Sequence, residues 1–333
     1  MSDRFEYSRN FYNEHVAGMI RTKFPEYEDR IAVGIAGEGS DCFGYDDFMS
    51  RDHDFGTGVC LWVTSGDMER FGRLLSIAYN ELIDSMPGNN LTERLRARRG
   101  VMTVDGFYSS ILGIGCDASA CALSEEQWMA LDHSCLATAV NGEVWRDDVG
   151  EFTAFREMLL GYYPDSIWRR RIADELHRFS AALQVNYARC MTRDDVVAAE
   201  MCRLQGLDSA MQLYFLMKRE YPPYYKWTYR RLTEIDESGR FASLVARLSQ
   251  CGINREAWAG KEYSGEYRNL TDQTVFLTEE IALYIVGMMR DLGLTDNNAP
   301  YLEKHVDEMR LERTSCDDSN RSSALRLCGT LIT

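Results

Sequence analysis

Phe11, Val16, Met19, Ile20 and Phe24 recur at near-helical spacing, so the chain opens with an amphipathic helix that ends before Pro25. Ile31 to Ala36 is short, apolar and rich in β-branched residues, which predicts a buried strand that breaks at the glycines of "GIAGEGS". Strand character returns between Asp52 and Val63 ("DHDFGTGVCLWV"). A helical period then runs from Met68 to Ile83, with Asp67 as its expected cap. "PGNN" reads as a loop, and a further short strand is expected around Val101 to Val104. From about Val149 the texture changes. Phe152, Phe155, Met158 and Leu159, then Ile167 to Leu183, then Val196 to Met217 follow a 3.6-residue period with few strand signals.

Mixed α and β elements thus occupy the first part and helices the second, with a seam expected near "AVNGEVWRDD", where Asn141-Gly142 marks a turn. A length of 333 residues accommodates two domains, and 45% hydrophobic with 27% charged residues is an ordinary globular composition. Fifty-two acidic against 37 basic residues give a net charge of -15. A field of that sign repels a phosphate backbone, which disfavours long nucleic acid as a partner and favours a small cationic substrate. The ten cysteines show no CxxC pair and no zinc spacing, so they read as reduced thiols. "MSDRFEYSRN" lacks the pattern of a signal peptide, and "IALYIVGMM" is too short to span a bilayer, so the expected location is cytoplasmic with no membrane partner.

The stretch Gly39 to Asp54, "GSDCFGYDDFMSRDHD", holds five aspartates in sixteen residues. On a strand, Asp52 and Asp54 point to one face and His53 to the other. Two adjacent carboxylates repel unless a cation lies between them, and an all-oxygen pair favours Mg²⁺ or Mn²⁺ over zinc. Gly39 and Ser40 leave a strand in a turn whose backbone N–H groups and hydroxyl suit a phosphate. Metal and phosphate cradle together point to a nucleoside triphosphate; the competing reading of these residues is a solvated acidic turn.

Gly39-Ser40, eleven residues, then Asp52-His53-Asp54 resembles the signature of the DNA polymerase β-like nucleotidyltransferase superfamily, which includes aminoglycoside and lincosamide nucleotidyltransferases. The longer string "GSDCFGYDDFMSRDHDFG", with "NGEVWRDD", "YYPDSIW", "NYARCMTRDD" and "YYKW", is more similar to the bacterial domain-of-unknown-function family DUF4037. The resemblance implies an α+β fold: a nucleotidyltransferase domain over 1–145, a small mixed sheet flanked by helices, followed by a mostly helical substrate- or partner-binding domain over 146–333. It implies that Asp52 and Asp54 ligate metal, and that a third carboxylate completes the site. Asp105 in "MTVDG" is the candidate, with Glu93 and Asp117 as rivals and a strand-end Asp without function as the alternative. The implied reaction moves a nucleoside monophosphate, AMP from ATP, onto a hydroxyl of an acceptor that the sequence does not identify. Gly39 and Ser40 would grip phosphates.

Arg189, with Asn186 and Arg193 on one helix face, and Lys226 in "PPYYKW" are cations that could reach the triphosphate, their alternative being surface ion pairs. The Tyr221 to Tyr229 aromatics could stack on a base or pack in a core. A noncatalytic nucleotide-binding or antitoxin-like interaction protein is the second functional expectation.

Overall fold

The computed structural model describes residues 5–45, 58–86, 93–265 and 268–311. They form two compact units. The first takes in the chain up to Tyr163 and returns at Tyr221–Arg231; the second takes Pro164–Glu220 and the chain from Leu232 on.

The first unit is built on a four-stranded mixed sheet in the order β3-β2-β1-β4, with β1 Ala32–Ile35, β2 Cys60–Val63, β3 Gly100–Thr103 and β4 Glu143–Arg146. β1 runs antiparallel to β2 (Gly34 opposite Cys60) and to β4 (Ile35 opposite Glu143), and β2 runs parallel to β3 (Cys60 opposite Gly100). One end of the sheet therefore gathers the exit of β1 and the entrances of β2, β3 and β4. The opposite end gathers Ala32, Val63, Thr103 and Arg146. Alternation sends Leu61 and Val63 to a core shared with Phe11, Val16, Met19 and Ile20 of the first helix and with Leu75 and Tyr79. Trp62 faces the other way and stacks on Phe152 at 3.8 Å, with Phe107 edge-on at 5.4 Å. Phe152 and Phe155 in turn pack on Tyr108 at 5.2 and 4.4 Å.

Two local expectations change. The helix expected to be capped by Asp67 is capped by Thr64, whose hydroxyl accepts from the Asp67 N–H at 3.1 Å. Asp67 is buried and takes a two-oxygen bond from Arg30 Nε at 2.9 and 2.8 Å. "EVWR", expected at a seam, forms β4, so a boundary at 145/146 falls inside a strand paired to β1.

In the second unit every described element is helical. The helices Asp165–Phe179 and Val196–Lys218 pack closely, and Gly206 lets the second also approach the helical turn Ser180–Asn186: a Cβ there would lie 2.2 Å from Leu183 Cγ. No helix among the described residues is long and apolar enough to cross a membrane.

Candidate functional site

β1 runs directly into "GEGS". Gly37 and Gly39 take φ of +103° and +128°, a region open to glycine at little cost, and Ser40 starts the short 3₁₀ turn Asp41–Phe43. Asn141 holds the turn from β4's entrance: its side-chain oxygen accepts from the Gly37 N–H and its amide donates to the Gly37 carbonyl, both at 2.8 Å. Next to it, Gly34 and Gly142 permit close backbone approach. A Cβ on Gly34 would lie 2.3 Å from the Glu143 carbonyl oxygen, and one on Gly142 would lie 1.8 Å from that of Ile35.

Arg99, at β3's entrance, lies buried beneath the turn. Its Nη2 donates to Asp41 Oδ2 at 2.7 Å and to Cys42 Sγ at 3.1 Å, and its Nη1 donates to the Arg98 carbonyl at 3.1 Å. Burial works against its charge, yet the neighbouring Cys42 and Asp41 outweigh that and hold its pKa well above the ordinary arginine value. Burial pushes the pKa of the Cys42 thiol up, against the opposing effect of the Arg99 guanidinium.

The segment returning at Tyr221–Arg231 covers the same turn. Ser40 Oγ lies 3.2 Å from Tyr224 OH and accepts from Trp227 Nε1 at 3.1 Å, while Trp227 Nε1 also donates to Tyr224 OH at 2.6 Å. Tyr45 packs on Trp227 at 5.1 Å, and Phe43 meets Tyr224 edge-on at 6.0 Å. Arg230 stands over Tyr45 at 4.5 Å and Lys226 over Trp227 at 4.9 Å.

Gly39 and Ser40 therefore lie beside the segment that carries Lys226. Arg189 belongs to the second unit, where its guanidinium lies over Tyr263 at 4.9 Å and donates to Asn186 at 3.4 Å. Asp52 and Asp54, with Asp46, Asp47, Ser50, Arg51 and His53, lie outside the described residues. Asp105 sits in the first turn of the helix Val104–Leu112, beyond Thr103, and so at the end of the sheet opposite the Gly37–Ser40 turn. Four strand residues put about 13 Å between those ends. Its carboxylate accepts from Ser65 Oγ at 2.6 Å and from the Ala118 N–H at 2.7 Å. Asp117 holds its own loop through Ser119 and Ala120, and Glu93 opens the helix Glu93–Arg98. Among the described residues no group of three His, Cys, Asp or Glu could hold a metal ion.

Residues 128–228 match the family model of DUF4037, a domain of unknown function. No curated protein and no solved structure matches the chain. The matched DUF4037 segment contains Asn141, Tyr224 and Trp227, which hold the glycine turn, whereas the turn itself precedes it.

The tertiary fold supplied partners that local sequence gives no sign of. Asn141 reads as a turn residue, and Trp227 as a core or stacking aromatic. Their use here is to fix Gly37 and Ser40 from more than 100 residues away.

Proposed function

We propose that the chain is a metal-dependent nucleotidyltransferase that takes a nucleoside monophosphate from a triphosphate, with ATP as the expected donor, and passes it to a hydroxyl. The observation that carries this reading is the turn after β1: two left-handed glycines and Ser40, anchored by Asn141 at the sheet end where the chain re-enters at Gly58 to form β2.

In this reading backbone N–H groups of the turn and the Ser40 hydroxyl hold phosphate oxygens. Lys226 and Arg230 offset part of the triphosphate charge from the adjoining helix. Asp52 and Asp54 would hold Mg²⁺ or Mn²⁺, which when bound neutralises charge on the reacting phosphate. The alignment of acceptor hydroxyl and phosphate, fixed by the turn, would supply most of the remaining rate gain.

The position of Asp105 favours a second reading, a noncatalytic nucleotide-binding protein. Its carboxylate is satisfied by Ser65 and Ala118 at the far end of the sheet, away from Ser40.

Calorimetric titration of ATP in Mg²⁺ tests the shared premise. Metal-dependent binding to the wild type that is lost in Asp52→Asn is the expected result. Absence of binding would remove both readings; equal binding to the variant would remove the transferase and leave nucleotide binding. Release of pyrophosphate from ATP only when a hydroxyl acceptor is supplied separates transfer from binding alone.

A further inference from the structure

Ser40 Oγ, Tyr224 OH and Trp227 Nε1 form a closed triangle of 3.2, 3.1 and 2.6 Å. An indole N–H donates and never accepts. Each hydroxyl carries one hydrogen, and only one of the two hydrogens can lie between Ser40 and Tyr224. The other finds no acceptor inside the triangle and must point out of it.

The distances say which one. Trp227 Nε1 is closer to Tyr224 OH than to Ser40 Oγ, so the indole donates chiefly to the tyrosine oxygen. A hydroxyl that accepts becomes a better donor. Tyr224 accordingly donates to Ser40 Oγ, and the Ser40 hydrogen is the one directed outward. Ser40 and Tyr224 are half-buried, which puts the outlet at the surface, while Trp227 is only 6% exposed.

An oxygen acceptor suits this outlet, with two cationic side chains close by. Lys226 Nζ and the Arg230 guanidinium lie 4.9 and 5.4 Å from the centre of the Trp227 ring. The nearest described carboxylates of the turn are already matched, Asp41 with Arg99 and Glu38 with Arg98. A stacked base is not the fitting ligand here, because the Trp227 ring is covered by Tyr45, Lys226 and Arg230.

Resting on the nucleotide reading above, we propose that Trp227 and Tyr224 are positioning residues that relay a donor to Ser40, aiming its O–H at a phosphate oxygen of a bound polyphosphate. The segment Tyr221–Arg231 then serves recognition of the phosphate chain and leaves the base to other residues.

A double-mutant cycle tests this, with Mg²⁺-ATP and Mg²⁺-tripolyphosphate as the two probes and wild type, Tyr224→Phe, Ser40→Ala and the double variant as proteins. Tyr224→Phe keeps the ring and removes only the relay, so thermal melts should stay close to the wild type. Both probes should bind roughly 5- to 20-fold more weakly to Tyr224→Phe, the scale of a weakened hydrogen bond to a charged acceptor. In the Ser40→Ala background the same change should cost less than about twofold, because the relay already ends there. Unchanged binding by Tyr224→Phe, an equal loss in both backgrounds, or a loss for ATP without one for tripolyphosphate would overturn the inference while leaving nucleotide binding intact. A wild type that binds neither probe would overturn both.

Discussion

Asp67 shows how one side chain can change role between sequence and fold. Its position ahead of an apolar period suits a helix cap, but Thr64 takes that place, and Asp67, 1% exposed, receives Arg30 and the Thr64 hydroxyl. The hydrogen bond from Arg30 lowers its pKa below the ordinary carboxylate range, against the opposing effect of burial. A depressed folded-state pKa contributes stability that is fully present above the unfolded value of about 3.9 and is lost as pH falls through the folded value. Asp67→Asn should therefore cost about 1–3 kcal/mol at pH 7, with Arg30, 39% exposed, keeping part of its hydration. Urea melts should show that difference shrinking below about pH 4.

At the scale of elements, the turn after β1 depends on two edges meeting at backbone distance. Gly34→Ala would drive a Cβ to 2.3 Å from the Glu143 carbonyl oxygen, and neither strand can yield without losing pairs between β1 and β4. Strand separation of this kind should lower stability by about 2–4 kcal/mol in thermal or urea melts. The same substitution at the open Gly113 helix end has no such contact, although its φ of +68° adds strain, and so serves as a milder control.

The whole molecule divides in a way that neither composition nor periodicity marks. A fragment ending at 145 would keep Trp62 and Tyr108 but lose Phe152 and Phe155, which cover them. Each lost aromatic costs about 3–5 kcal/mol, against a total stability of about 5–15 kcal/mol for an ordinary domain. Residues 1–145 should therefore lack a cooperative unfolding transition, whereas 1–163, which keeps the helix Glu151–Leu160, should show one by tryptophan fluorescence. Cooperative unfolding of both fragments would mean that those aromatics contribute little. The first unit also reclaims Tyr221–Arg231, where Tyr221 OH donates to the Leu159 carbonyl at 2.9 Å.

Local sequence determined the elements whose signals are local. The apolar run at Ile31 predicts β1, "RGVMTV" predicts β3, and the 3.6-residue period after Val149 predicts the helices, because backbone preference and burial on one face act within a few residues. The glycines of "GEGS" likewise announced the turn that ends β1, and the structure shows Gly37 and Gly39 in it at positive φ. β4 escaped because "EVWR" has four residues and no apolar alternation of its own; pairing with a strand more than 100 residues earlier makes it a strand. Separation in sequence likewise hid Asn141 from Gly37, Arg99 from Asp41 and Trp227 from Ser40. A hydrogen bond of that span depends on where both chain segments are placed, and only the tertiary structure fixes both at once.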